Sequence, residues 1–205
     1  MKLYHGTNSN HLGDIFEKGI RPRGTRDGNW EKCPSRSDCV YLTDAYGFFY
    51  AGASVEETGT MCILEVEVDT EKLLPDEDFI EQAMRPTVQE ETEDYNVLAV
   101  TWEIRDNLEQ YREYWQASLV GLGNVAHQDT IQPHQVTRYA LVDDMAFLMS
   151  FDPVICLANY GYMGSYYRNS MKWLFDPEAE FEEDKLMDRS GFIRELPRDN
   201  IKVIP

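Results

Sequence analysis

The chain has 205 residues, 42% of them hydrophobic and 12% aromatic, enough to bury a core as one domain or as one domain with a large insertion. Nineteen Lys and Arg against 37 Asp and Glu leave a formal net charge of -18, the wrong sign for a surface that grips nucleic acid by neutralising phosphates. No run approaches the roughly 18 apolar residues of a membrane span. The N-terminus MKLYHGT lacks the basic flank and apolar stretch of a secretion signal. The chain is therefore expected to be soluble and cytoplasmic, with no membrane partner.

Taken in chain order, Lys2 to His5 is short, apolar and aromatic and reads as a strand. Asn8 or Ser9 then caps a helix over His11 to Lys18 that stops at Gly19. Ile20 to Asp38 is full of Gly, Pro, Asp and Arg without a period and reads as a long loop. CVYLTD at Cys39 to Asp44 is a second strand. In AYGFFYAGASV, Tyr46, Phe49 and Tyr50 fall at i, i+3 and i+4, one face of a helix. MCILEVEVD alternates apolar residues with Glu65, Glu67 and Asp69, which predicts a strand with one wet face.

Between Asp76 and Asp94 lie eight acids and one base, Arg85, a composition that predicts a solvated segment outside the core. Val97, Thr101, Ile104, Leu108, Tyr111 and Trp115 then share one side of a predicted long helix. SLVGLGNVAH and VTRYALVD read as two strands joined by the turn-rich QDTIQPHQ. The last third holds an aromatic helical stretch from Leu157 to Phe175, a second acidic run from Glu178 to Asp188, and a final strand at GFIREL or IKVI. The four cysteines (Cys33, Cys39, Cys62, Cys156) contain no C-x-x-C pair and the four histidines (His5, His11, His127, His134) no zinc spacing. Free thiols and no metal are expected.

The words that carry chemistry are LYHGT at Leu3 to Thr7 and VYLTD at Val40 to Asp44. His5 brings an imidazole, Gly6 a backbone free of a side chain, and Thr7 a hydroxyl. Tyr41 alternates with Val40 and Leu42, so its ring stands on the opposite strand face as a wall suited to a flat aromatic ligand. Alone, His5 would read as a strand-end histidine satisfied by main chain and Tyr41 as a core tyrosine; their value lies in the pair.

These words resemble the ADP-ribosyltransferase superfamily, in the branch whose NAD site is built from a His, a Tyr and commonly a Glu on successive core strands. The resemblance rests on His5 in LYHGT, the G-I-x-P turn at Gly19 to Pro22, and Tyr41 in VYLTD with an aromatic helix behind it. It extends to CILEVEVD leading into LLPDED and to SLVGLGNVAHQDTIQPHQVTRYALV, and it covers about the first 142 residues. It implies an α+β fold with a split, mostly antiparallel sheet over residues 1–142. An acidic, helical insertion would occupy 76–117 and a C-terminal helical extension 143–205.

The resemblance further implies that His5 hydrogen-bonds the adenosine-side ribose of NAD. Gly6 and Thr7 would let main-chain groups hold the nicotinamide amide, and Tyr41, with Thr43 beside it, would stack on the ring. Tyr50 or Phe49 would close the ring from its other side, while Arg21, Arg23 or Arg26 would meet the pyrophosphate. A carboxylate normally holds the ribose hydroxyl and stabilises positive charge as the N-glycosidic bond breaks. Here the expected strand reads GNVAHQDTI, with Asn124, His127 and Gln128 but no Glu. His127, Glu195 in GFIRELPRDNIKVI and Glu103 on the preceding helix are the candidates for that place.

The expected activity is thus mono-ADP-ribosylation of a macromolecule, as a toxin or effector performs it. At net charge -18 a protein acceptor is easier to engage than a nucleic acid. The missing Glu and the Arg-rich loop motivate an RNA 2'-phosphotransferase as a second reading. The charge and the two acidic runs motivate a third, a non-catalytic acidic protein that blocks a basic partner.

Overall fold

The computed structural model describes residues 1–26, 36–55, 57–91, 96–142, 167–169, 171–172, 174–176 and 202–203. Along the chain run β1 (Lys2–Asn8), α1 (Leu12–Lys18), β2 (Cys39–Thr43), α2 (Gly47–Ala53), β3 (Met61–Glu67) and β4 (Leu73–Pro75). They are followed by α3 (Glu77–Glu91), α4 (Val97–Asp106), α5 (Trp115–Gly121), β5 (Asn124–Gln128), β6 (Val136–Val142) and the two-residue β7 (Lys202–Val203). The strands form one sheet in the order β4-β5-β2-β1-β3-β6-β7, with every pairing antiparallel, and the fold is α+β. Among the described residues no helix is long and apolar enough to cross a membrane.

Register explains the layers. β1 pairs with β3 along its whole length, from Lys2 with Glu67 to Asn8 with Met61, but joins β2 at a single pair, Tyr4 with Thr43. Strand alternation therefore puts Leu3, His5, Val40 and Leu42 on one face and Tyr4, Gly6, Tyr41 and Thr43 on the other. The first face is sealed by Ile15 of α1, Ile20, Ile131 and Leu119 of α5. The second carries two separate clusters. α2 and the helical residues Tyr167, Met171 and Phe175 cover Met61, Ile63 and Ala140, while Ile80 of α3, Ile104 of α4 and Leu108 cover Leu74, Ala126 and Cys39.

The predicted strands at CVYLTD, MCILEVEVD and VTRYALVD and the helix in AYGFFYAGASV all form. Four expectations need correction. β1 does not end at His5 but runs on through Gly6 and Thr7 to Asn8, because β3 offers it ladder partners throughout. β3 is wet only at its end, where Glu67 is exposed: Glu65 is 1% exposed, sealed by Lys2, Thr137 and the Arg138 guanidinium. The long helix predicted from Val97 breaks at Asn107, whose side chain donates to Glu103 O at 2.9 Å and competes with the helical ladder. SLVGLGNVAH is not one strand, since Ser118 belongs to α5 and the turn at Gly123, φ 79°, separates that helix from β5.

The fifth correction matters most for function. The acidic run is not uniformly solvated: Asp76, Glu77 and Glu81 are 7%, 6% and 2% exposed. Glu77, Ile80, Glu81 and Met84 share one helix face by spacing, so docking Ile80 against β4 and β2 takes the acids in with it. Residues 27–35 of the long loop, most of Leu157 to Phe175, the second acidic run, GFIREL, Cys33 and Cys156 lie outside the described residues. The described Cys39 and Cys62 are free, buried thiols.

Gly6 shows how tightly α2 sits on the sheet. A Cβ there would overlap Ala51 N and Gly47 O and approach Tyr50 C to 2.7 Å, all of them backbone atoms that cannot rotate away. The absent side chain thus admits the helix. Gly6→Ala is expected to lower unfolding stability by about 1–3 kcal/mol through overpacking, read as a shifted urea midpoint at unchanged slope. An unshifted midpoint would contradict the close approach.

Candidate functional site

His5 stands at the seam where β1 and β2 are joined by their single pair. Its Nδ1 lies 3.1 Å from the carbonyl oxygen of Tyr41. A carbonyl only accepts, so the proton sits on Nδ1, and in the neutral ring Nε2 is left as an acceptor. Burial pushes the His5 pKa below the ordinary histidine value, opposed by the Tyr41 carbonyl and assisted by His11. The imidazole is thereby held neutral and oriented.

Tyr41 leaves β2 on the other face. Its hydroxyl donates to the Glu77 carboxylate, with oxygens at 2.6 and 2.8 Å, and accepts from the Arg36 backbone N–H at 3.3 Å. Arg36 in turn bridges Asp38 and Glu109. Burial raises the Tyr41 pKa well above its usual value, and the Glu77 and Asp76 carboxylates raise it further. Glu77 is itself raised by burial, with the Tyr41 hydroxyl opposing the shift.

Across the same face stands Tyr50 of α2, its backbone against Gly6 and its ring edge-on to Phe49. Burial raises its pKa and Asp76 adds to the shift, while a hydrogen bond with Asn124 opposes it. Asn124 opens β5 opposite Thr43, so it shares the face of Tyr41; it is 3% exposed, and its Oδ1 has no hydrogen-bond partner. Ser118 Oγ accepts from Asp76 N–H at 2.9 Å and donates to Asn124 O at 2.7 Å, locking the start of α3 to the start of β5. Asp76 Oδ1 accepts from Asp78 N–H at 2.9 Å.

The fold thus gathers Gly6, Tyr41, Tyr50, Asn124, Asp76 and Glu77 where the two helix groups of one face meet, with His5 at the adjoining seam. Thr7 is buried on the His5 side, by alternation. The Thr43 hydroxyl is spent on structure, donating to Gly123 O at 2.6 Å and accepting from Ala45 N–H at 3.0 Å and Tyr46 N–H at 2.8 Å. Arg21 pairs with Asp14 of α1, and Arg23 and Arg26 bond each other's main chain, so the loop is braced on itself. The Glu103 carbonyl accepts from the Asn107 side chain, and Glu195 lies outside the described residues.

His127 pairs in register with Val40 and so faces away from Tyr41 and Asn124. It is 0% exposed with neither ring nitrogen hydrogen-bonded, and burial pushes its pKa below the usual value, with the Asp129 main chain opposing. Sequence reasoning passed over Asp76 and Glu77 as solvent-facing. The available signal was their position immediately after the apolar strand Leu73–Pro75, at helical spacing from Ile80. Among the described residues no group of three or more His, Cys, Asp or Glu could hold a metal ion.

A histidine held neutral by burial binds its proton more readily when unfolded, so its contribution is full above about pH 6.5 and is lost as pH falls below that. His127→Leu removes this liability. Its stability relative to the wild type is expected to rise as pH drops from about 7 to 5, by up to about 1.4 kcal/mol per pH unit. A difference independent of pH, measured by urea unfolding, would contradict the buried neutral ring. Compared with known protein families and with curated proteins, the chain matches none.

Proposed function

We propose that the protein is an NAD-dependent mono-ADP-ribosyltransferase that moves ADP-ribose to a macromolecular acceptor and releases nicotinamide. The observation that carries this reading is the convergence of Tyr41, Tyr50, the Gly6 main chain and Asn124 on one face, beside a seam where His5 presents Nε2 as an acceptor. On this reading a flat ring stacks against the tyrosines of that face. The ribose hydroxyl of the adenosine half donates to His5 Nε2. Because the side chains of His5 and Tyr41 leave on opposite faces, the dinucleotide lies across the seam rather than along one face.

In the reaction the bond from ribose carbon to nicotinamide nitrogen breaks, its electron pair goes to the ring nitrogen, and the acceptor nucleophile closes on the ribose carbon. Positive charge develops on the sugar, where preoriented oxygens are most effective. The third-strand role falls to Asn124 Oδ1, unpartnered and buried on the correct face, rather than to His127 on the other. Burial of Asp76, Glu77 and Glu81 also takes acids out of the solvent-facing charge on which the reading as an acidic blocking protein depends. A protein acceptor remains easier to engage than nucleic acid at a net charge of -18.

Incubation with NAD labelled in its adenine half, against protein and nucleic-acid fractions of a lysate, tests the reading. Label is expected in the protein fraction, with nicotinamide released, and Tyr41→Ala or His5→Ala should lower the rate by on the order of a hundredfold. Release of an ADP-ribose phosphate from 2'-phosphorylated RNA would favour the phosphotransferase. Neither transfer nor nicotinamide release would leave the acidic blocking protein as the better account.

A further inference from the structure

Arg36, near the end of the loop from Ile20 to Asp38, differs from Arg21, Arg23 and Arg26 in what it holds. A guanidinium offers five N–H donors, and here each meets an acceptor. Nε and Nη2 reach the two Asp38 carboxylate oxygens at 2.8 and 2.7 Å, and Nη1 and Nη2 reach the two Glu109 oxygens at 3.0 and 2.8 Å. The remaining Nη1 donor takes the Arg105 carbonyl at 3.1 Å, in the last turn of α4, where the helix supplies no donor of its own. Glu109 lies in the 3-10 helix Leu108–Tyr114 and is held in turn by Gln128 Nε2 of β5 at 3.1 Å. The Arg36 side chain is 13% exposed, and to take a pyrophosphate it would have to release one of these partners.

What the fork fixes is the main chain beside it. Arg36 N–H donates to the Tyr41 hydroxyl at 3.3 Å, so the hydroxyl turns its own proton to the Glu77 carboxylate. A phenol held from the loop end on one side and from α3 on the other keeps one ring orientation. We infer that Arg36 is a positioning residue for Tyr41: its fork, anchored on Asp38, Glu109 and α4, holds the loop end so that the Tyr41 ring meets nicotinamide in one geometry, without itself touching NAD. The inference rests on the NAD reading above and deepens it. Lysine cannot replace the fork, because an ammonium is a point charge with three donors and does not address two carboxylates bidentately.

The test combines Arg36→Lys with Tyr41→Ala and follows nicotinamide release from NAD beside binding of ADP-ribose, which lacks the nicotinamide ring. Alone, Arg36→Lys should lower kcat by about ten- to a hundredfold, the cost of a misplaced group, and leave ADP-ribose affinity unchanged. Added to Tyr41→Ala it should lower kcat no further, because its effect passes through the missing ring. Glu109→Gln, which weakens the fork from its other side, should repeat the pattern with a smaller loss. Losses that multiply in the double variant, or a weakened affinity for ADP-ribose, overturn the inference while the NAD reading stands. In protein isotope-labelled at tyrosine Cζ and followed by NMR, the Tyr41 signal is the one lost in Tyr41→Phe, and Arg36→Lys should shift it. An unshifted signal overturns the inference whatever the turnover. Neither nicotinamide release nor ADP-ribose binding by the wild type overturns the NAD reading, and the role of Arg36 with it.

Discussion

β1 and β2 lie side by side at the centre of the sheet, yet pair at one residue only, Tyr4 with Thr43, and the candidate site depends on that economy. A full ladder would close the seam and spend the main chain of Gly6 and Tyr41 on each other. Instead β1 takes its ladder from β3 and β2 takes its own from β5. The His5 imidazole reaches the Tyr41 carbonyl between them. Thr43 anchors the end of this arrangement: one hydroxyl holds Gly123 ahead of β5 and caps the turn into α2. Gly6 then lets α2 settle on the sheet with the Tyr50 backbone against it.

The second constraint is electrostatic. A chain of net charge -18 has every reason to keep acids in water, and this one buries Asp76, Glu77 and Glu81 at the start of α3. Their satisfaction is specific: Asp78 N–H and the helix N-terminus for Asp76, the Tyr41 hydroxyl for Glu77, and Arg85 for Glu81.

Much of the scaffold was legible because local pattern and burial agreed. CVYLTD, MCILEVEVD and VTRYALVD carry enough β-branched and aromatic residues to be strands in any context, and Gly19 ends α1 where its φ of 81° requires a glycine. Asn107 and Gly123 were harder, since each divides an apolar stretch whose periodicity runs straight through it. The pairing of His5 with Tyr41 could be read from their words, but its form could not: a ring bonded to a main-chain carbonyl leaves no trace in composition. Asp76 and Glu77 were hidden by a sound rule applied to the wrong neighbours. Runs of acid are solvated on average, and only the docking of Ile80 decides which members go inside.

A crystal structure with carba-NAD tests the central claim most directly, because it asks where the dinucleotide lies rather than whether something turns over. The account predicts the nicotinamide ring against Tyr41 and Tyr50 and a ribose hydroxyl of the adenosine half within hydrogen-bond distance of His5 Nε2. A dinucleotide bound elsewhere, or bound there with His5 and both tyrosines untouched, would contradict it.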